Sequence, residues 1–231
     1  SCCLGYAPAP RRLPPFPRHA CLSVNECVVH GTAGYFPRAL REGDLFKVDI
    51  GVWYKGWVGD AAWTYSIGKP SALAAKLMES GKVSLAEGVK ELTPGKTYSA
   101  WATRVQTIVE RDYGFHLVRG MGGHGLFDEK KNRPTLHGPP FVANRMPDFP
   151  GEWSEVNMAC APGTLIAVEP MIAVGTGELL DKSRLPMAQR WPELIADGSL
   201  SVHYEHDVLI TERGPRILTE GLEKTPDVIG P

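Results

Sequence analysis

The sequence lacks a surplus of charge of either sign, and it lacks any long run of apolar residues. Its 25 Lys and Arg residues nearly balance its 26 Asp and Glu residues, which gives a net charge of -1. Such a surface offers no extended basic face for nucleic acid or an anionic membrane. No window reaches the roughly 18 apolar residues of a membrane-spanning helix, and the first residues lack the order of a signal peptide. We therefore expect a cytoplasmic protein that contacts neither nucleic acid nor a membrane directly.

The sequence also has few cysteines, and these form no recognisable pattern. There are five, with no Cys-x-x-Cys pair and no spacing typical of a zinc ribbon or a disulfide framework. Reduced thiols are the expectation. Apolar residues make up 43% of the 231 residues, so the chain can bury a substantial core. We expect one globular unit.

A β-hairpin carrying two acidic residues is predicted at residues 45–67. β-branched and aromatic residues dominate both halves, and Lys55-Gly56 supplies the turn. With the turn centred there, Asp49 lies opposite Ala62, and Asp60 lies two positions from Ala62 on the same face. A carboxylate is costly in apolar strands unless a partner neutralises it. A single one would most often be capped or salt-bridged, whereas two on one face predict a shared site.

The rest of the chain predicts helices followed by further strands. Apolar residues recur at helical spacing in two runs, each followed by a glycine or a proline-glycine pair. The predicted helices cover residues 71–92, with Leu73, Leu77, Leu85 and Val89 as apolar positions, and residues 98–113. Two strands, at residues 164–174 and 202–211, are predicted to close the chain. The Gly- and Pro-rich residues 120–163 are too long for an ordinary connection, and we interpret them as a rim around a site.

Three residues in the second half complete a candidate metal site. Glycines frame His124 and allow close backbone approach, and Glu169 lies in an apolar strand where Pro170 implies an edge or a bulge. Glu205 lies on the polar face formed by the odd positions of residues 202–208. Four carboxylates cannot all stay ionised together without counter-charge, which two divalent cations would supply. One imidazole with four carboxylates suits Mn, Fe, Co or Zn. The predicted ligands of two divalent ions are Asp49, Asp60, His124, Glu169 and Glu205.

The motifs around these residues closely resemble those of type I methionine aminopeptidases. They are Val48-Asp49-Ile50-Gly51, Gly59-Asp60, Gly123-His124-Gly125, Val168-Glu169-Pro170-Met171 and Tyr204-Glu205-His206, with further similarity at Ser23-Val24-Asn25-Glu26, His30-Gly31 and Leu92-Thr93-Pro94-Gly95. The resemblance implies the α+β pita-bread fold, in which an antiparallel sheet cradles a dinuclear metal site and helices cover the outer face. It also implies one metallo-aminopeptidase catalytic domain over residues 1–231, without the helical segment that family members carry before it.

The resemblance further implies roles for residues around the metals. Glu169 would be both a ligand and a proton shuttle, and His30 and His137 would act at the scissile carbonyl, which a hydroxide bridging the two ions would attack. A methionine pocket would be formed by Cys3, Tyr6, Phe16, Cys21 and Trp191, with Cys3-Leu4-Gly5-Tyr6 as its first motif. Cysteines and aromatic residues suit a pocket for an unbranched thioether.

Three residues depart from the family pattern. Val58 stands where the family usually has His before Gly-Asp, and Ala61 stands where Thr usually follows. Both changes remove hydrogen-bonding groups that orient metal ligands, so we expect an altered metal affinity. Leu136 replaces an aromatic residue before the second histidine.

The predicted function is removal of N-terminal methionine from peptides or nascent proteins by a cytoplasmic, monomeric enzyme, with contact to the ribosome as a further expectation. Two alternatives stay open. One is a related aminopeptidase or dipeptidase with a different preference for the first residue, and the other is a non-catalytic pita-bread binding protein. Metal analysis separates the binding protein from the enzymes, and peptides that differ only in their first residue separate the enzymes.

Overall fold

The structure is a computed structural model that describes residues 3, 6, 13–32, 34–128 and 130–230. Cys2, and Leu4 and Gly5 of the predicted pocket motif, lie outside the described residues. The strands are β1 (Cys21–Val24), β2 (Cys27–Val29), β3 (Leu45–Tyr54), β4 (Trp57–Ile67), β5 (His116–Leu117), β6 (Gly122–Asp128), β7 (Arg133–Ala143), β8 (Leu165–Val168), β9 (Met171–Ala173), β10 (Glu193–Leu194), β11 (Ser201–His203), β12 (His206–Thr211), β13 (Gly214–Ile217) and β14 (Val228–Ile229). The helices are α1 (Ala72–Val89) and α2 (Tyr98–Gln106), with a π-helical turn at Thr107–Asp112 and 3-10 turns at Ser154–Asn157, Met187–Gln189 and Leu222–Lys224.

The strands pair into sheets that are almost entirely antiparallel. One sheet has the order β1-β3-β4-β14, and a second has the order β13-β12-β8-β6-β7. A third has the order β11-β9-β5, and β10 pairs with β2. Only the pairing of β14 with β4 is parallel among these described strands. No helix within the described ranges is long and apolar enough to span a membrane.

The predicted hairpin is confirmed. β3 and β4 pair in the expected register, with Asp49 opposite Ala62 and Gly51 opposite Asp60. The turn residues Lys55 and Gly56 have φ values of 49° and 85°. Positive φ at both central positions matches the twist of the two strands. The register therefore places the two acidic side chains on the same face.

Both predicted helices are present, with one error in the buried stripe of the first. The Oγ of Ser71 accepts a hydrogen bond from the backbone N–H of Ala74 at 3.1 Å and caps α1. Leu77 and Leu85 are buried as expected, but Leu73 is 47% exposed because it lies in the first turn, at the margin of the stripe. The second predicted helix is α2 extended by its π-helical turn, with Trp101, Val105, Ile108 and Val109 buried.

The later strands differ from the prediction at the two glutamates. Residues 164–174 divide into β8 and β9, which join different sheets, and the break falls at Glu169-Pro170, where proline cannot donate to a ladder. Residues 202–211 divide in the same way into β11 and β12 around Tyr204-Glu205, and β13 and β14 follow them. Breaking both strands frees the two glutamates from regular sheet.

Residues 120–163 were predicted as a rim around a site without strands, and the absence of strands was wrong. These residues contain the antiparallel pair β6 and β7. The two strands were not predicted because glycine and proline, which are common here, are depleted in strands. The hairpin still borders the site, since it carries His124 and His137. The main core lies between the helices and the sheets and includes Leu77, Leu85, Trp101, Val105, Ile166, Val168, Ile172, Val202, Tyr204 and Val208.

Candidate metal centre

The five side chains predicted as metal ligands converge from both halves of the chain. Ligand atoms of Asp49, Asp60 and Glu205 lie within 4.8 Å of one another, as do those of His124, Glu169 and Glu205. Glu205 belongs to both groups, and a third group of Asp60, His124 and His137 shares Asp60 and His124 with them, so the arrangement offers adjacent candidate cation positions. The Nε2 of His124 lies 3.3 Å from Glu169 Oε1 and 3.9 Å from Asp60 Oδ2. His124 therefore links these groups into a single cluster of side chains.

Backbone contacts fix the carboxylates at the sheet breaks. The N–H of Glu205 donates to the carbonyl of Ala62 at 2.9 Å. This bond joins the break between β11 and β12 to the hairpin of β3 and β4, called the first hairpin below. The side-chain amide of Asn144 donates to the carbonyl of Glu169 at 2.9 Å. The backbone N–H of Asp60 donates to Oδ2 of Asp207 at 3.0 Å. Each glutamate thus lies outside a regular ladder and has at least one backbone group hydrogen-bonded to another part of the chain.

Two glycines allow the strands to close around His124. A Cβ on Gly123 would lie 2.2 Å from the carbonyl oxygen of Ala167, and one on Gly125 would lie 1.9 Å from that of Pro139. Only glycine permits approaches this close. The pattern that singled out His124 in the sequence therefore has a packing cause in the β7-β6-β8 part of the sheet.

The charge balance of the cluster fits divalent cations. Removal from water raises the pKa of Asp49 to about 7 and raises those of Asp60, Glu169 and Glu205 well above their usual range. The same effect lowers the pKa of His124, which favours the neutral imidazole that binds metals. Among the described residues, the ion pairs of these carboxylates are with imidazoles and not with lysine or arginine. Divalent ions would supply the missing positive charge.

A cavity of about 290 Å³ opens beside the carboxylates, and all five predicted pocket residues line it: Cys3, Tyr6, Phe16, Cys21 and Trp191. The rings of Phe16 and Trp191 meet edge to face, with centroids 5.0 Å apart. The indole N–H of Trp191 donates to the carbonyl of Pro14 at 2.9 Å, so the ring is fixed in the wall. The lining is mostly apolar and includes three members of the acidic cluster, Asp49, Asp60 and Glu169.

Both predicted catalytic histidines also line this cavity. His137 lies exposed at the cavity, with its ring centroid 4.2 Å from that of His124 and 4.9 Å from that of Tyr6. His30 packs edge to face on Trp191 at 5.8 Å, and burial lowers its pKa to about 3. Its φ of 57° is a strained value for a non-glycine residue, and such strain often occurs at functional sites.

Several residues at the site had no role in the sequence prediction. His203 and Asp207 contact the acidic residues directly: His203 Nε2 lies 3.0 Å from Glu169 Oε2, and Asp207 accepts from the backbone of Asp60. Both lie two positions from Glu205, so the alternation of polar residues was the available signal. Additional lining comes from Leu13, Met121, Phe141, Met171 and Glu193, which no local pattern distinguishes from core residues.

The departures from the family pattern make one side of the site apolar. Val58 packs with Leu126 and Leu136 in a small buried cluster, against which Tyr6 also packs. Leu136 lines the cavity. Val58 therefore contributes packing where a histidine would offer a hydrogen bond.

The fold and the cluster of candidate metal ligands point to a metallopeptidase. Residues 10–212 match metallopeptidase family M24, and the chain belongs to this family. It is similar to the methionine aminopeptidase of Aquifex aeolicus, at 36% identity over 94% of this chain and 77% of that protein. It is also similar to methionine aminopeptidase 1 of Bacillus subtilis, at 35% identity over 86% of this chain and 72% of that protein. The resemblance drawn from the sequence motifs is confirmed.

Solved structures place the architecture in the same family. The methionine aminopeptidase of Thermotoga maritima has a TM-score of 0.72 and 32% identity, and the match covers 87% of this chain and 73% of that one. The prolidase of Pyrococcus furiosus has a TM-score of 0.62 over 88% of this chain and 49% of that one, but its 19% identity supports the fold alone. The predicted α+β pita-bread fold is confirmed.

Proposed function

We propose that the chain is a methionine aminopeptidase that removes N-terminal methionine from peptides with two divalent ions held by Asp49, Asp60, His124, Glu169 and Glu205. The observation that supports this most strongly is the position of the cluster, which borders a cavity lined by every residue predicted for the methionine pocket. Similarity to named methionine aminopeptidases over most of the chain supports the substrate.

The residues at the site would have separate roles in metal binding, proton transfer and stabilisation of the oxyanion. Bound divalent ions supply Lewis acidity and lower the pKa of a nucleophilic water. Glu169 would accept a proton from that water and deliver it to the leaving amine, since its carboxylate belongs to the cluster and also lines the cavity. His30 and His137 would donate hydrogen bonds to the developing oxyanion, an effect typically worth about 3 kcal/mol each.

The apolar part of the cavity would bind the methionine side chain. Trp191 and Phe16 present aromatic surface, and Cys3 and Cys21 add sulfur atoms, to which a thioether is well matched. A pocket of this kind discriminates one methylene by about 1 to 3 kcal/mol. The preference for methionine should therefore be clear without being absolute.

The finer setting of this activity is also part of the proposal. We propose a cytoplasmic monomer that acts on peptides or nascent chains as they leave the ribosome. Cys21, Cys27 and Cys160 are free thiols, which supports a reducing compartment. Sedimentation of the purified protein, alone and with ribosomes, tests the monomer and the ribosome contact separately.

A peptide series tests the proposed function. Metal-free protein is supplied with Mn or Co, and hydrolysis is measured on peptides that begin with Met, Leu or Ala, followed by Ala or by a bulky residue. Met-Ala peptides should be cut fastest, and a bulky second residue should slow cleavage. Equal rates for Met, Leu and Ala would contradict the methionine assignment, and absence of both metal binding and hydrolysis would support the non-catalytic alternative.

A further inference from the structure

The carboxylate of Glu169 lies between two imidazoles, one on each of its oxygens. His124 Nε2 lies 3.3 Å from Oε1, and His203 Nε2 lies 3.0 Å from Oε2. His124 borders the cavity, whereas His203 is 1% exposed and does not line it. The two imidazoles therefore approach Glu169 in different surroundings, and only His124 was expected at the site.

His203 is held in place through its own backbone. Its N–H donates to Oγ1 of Thr64 at 3.0 Å, and the same hydroxyl donates back to its carbonyl at 2.7 Å. Thr64 lies on β4, two residues from Ala62, which accepts the backbone hydrogen bond of Glu205. The backbone of His203 is thus hydrogen-bonded to β4, the strand that also carries Asp60. A ring fixed in this way can orient a flexible side chain next to it.

We propose that His203 is a positioning residue that donates a hydrogen bond from Nε2 to Glu169 Oε2 and thereby fixes the carboxylate with Oε1 toward the metal site. The proposal rests on the proposed metal site. It explains how the orientation of a ligand is maintained although Val58 and Ala61 offer no side-chain hydrogen bonds from the first hairpin.

The donor role follows from the chemistry of the pair. With divalent ions bound, Glu169 is an ionised carboxylate that only accepts hydrogen bonds, so the proton of the pair must then lie on the Nε2 that faces it. Nδ1 of His203 is buried without a partner among the described residues, so nothing there competes for the orientation of the ring. Residues that form hydrogen bonds to metal ligands commonly contribute 10- to 100-fold to metal affinity or activity.

Two substitutions of His203 separate orientation from simple packing. His203→Gln keeps an N–H donor of similar reach, and His203→Leu keeps bulk without a donor. We expect His203→Leu to lower Mn affinity or kcat about 10-fold or more with two ions still bound per chain, and His203→Gln to stay within a few-fold of the unmodified protein. Calorimetric Mn titration, metal content and peptide kinetics give the readouts, and thermal unfolding verifies the fold.

His206→Gln provides the matched control. His206 is equally buried, but its Nδ1 pairs with Oγ1 of Thr219 at 2.9 Å. Its substitution should leave Mn affinity unchanged.

Three results would overturn the positioning role. His203→Leu could match the unmodified protein in both Mn affinity and turnover. His203→Gln could lose a bound ion together with His203→Leu, which would make His203 a ligand. Nitrogen-15 NMR of the unmodified, Zn-loaded protein could place the proton of His203 on Nδ1, a measurement that needs no variant. Failure of the unmodified protein to bind Mn would instead contradict the proposed function and this inference with it.

Discussion

Glu205 is joined to Ala62 by a backbone hydrogen bond of 2.9 Å, and Ala62 is the residue opposite Asp49 in the first hairpin. One bond therefore connects a carboxylate near the end of the chain to the two carboxylates near its beginning. It forms only because the strand breaks at Glu205, which leaves the N–H of this residue available to a different sheet. The proposed metal centre thus depends on an interruption of regular structure.

Removal of one charge from the cluster should abolish turnover. Asp49→Asn and Glu205→Gln keep size but lose the negative charge that offsets the cations, so we expect no measurable peptide hydrolysis and weaker metal binding. Metal content after dialysis and peptide kinetics measure both effects. Near-normal activity and metal content in either variant would contradict the ligand assignment.

Loss of the exposed imidazole should affect catalysis more than metal binding. We expect His137→Ala to lower kcat about 100-fold or more with little change in metal content, because an oxyanion donor acts in the transition state. His116→Ala, at an exposed position on β5, is the control. If His137→Ala lost metal in parallel with activity, His137 would be a ligand, which its distance from Asp60 and His124 also permits.

The wall of the cavity should determine specificity. Trp191→Ala removes the ring that packs on Phe16 and His30, so the preference for Met over Leu and Ala should shrink while metal content stays constant. Trp53→Ala, at a 49% exposed position on β3, should change neither. Unaltered preference in Trp191→Ala would show that Trp191 packs a loop without contacting substrate.

Lys182 should stabilise the segment of the cavity wall that contains Trp191. Its Nζ forms an ion pair with Glu193 at 2.7 Å and donates to the carbonyl of Pro192 at 2.8 Å, so it ties the two residues that follow Trp191. We expect Lys182→Met to raise KM for Met peptides several-fold with kcat and metal content little changed. An unchanged KM would indicate that the segment holds its shape without this contact.

Metal affinity should rise with pH. In the metal-free protein, loss of water raises the pKa of Asp49 to about 7 from an ordinary value of 3.8. Between these values the folded chain holds a proton that the unfolded chain has lost, so the stability of the metal-free protein falls as pH rises through this window. A cation displaces the proton and removes that penalty.

Calorimetry measures this linkage. The gain in Tm on addition of Mn should be larger near pH 7.5 than near pH 5.5, and titrations in buffers of different ionisation enthalpy should show proton release. A gain in Tm that is independent of pH would contradict protonated carboxylates in the metal-free site.

The sequence predicted the local parts of the site better than the long-range ones. The β3–β4 hairpin follows from strand composition and the Lys55-Gly56 turn, so the common face of Asp49 and Asp60 was available from spacing alone. The breaks at Glu169 and Glu205 were not, because assignment of β8, β9, β11 and β12 to sheets depends on partners far along the chain. The hairpin of β6 and β7 was missed because tertiary pairing overrides the low strand propensity of Gly and Pro.

The surroundings of the metal centre show the same limit. His203 and Asp207 stand two positions from Glu205 and gave only an alternation of polar residues, whereas their contacts with Glu169 and Asp60 come from the assembled sheets. The pocket residues were predicted through family resemblance, and no periodicity singles out Phe16 or Trp191. A single catalytic domain over residues 1–231 stays a prediction.

Anomalous X-ray diffraction from crystals grown with Zn would locate the metal ions directly. We expect two peaks between the β3–β4 hairpin and the two strand breaks, each about 2.0 to 2.2 Å from carboxylate or imidazole atoms, with the Glu205 carboxylate in contact with both. Peaks confined to other residues, or no peak in contact with Asp49, Asp60, His124, Glu169 and Glu205, would contradict the proposed metal site.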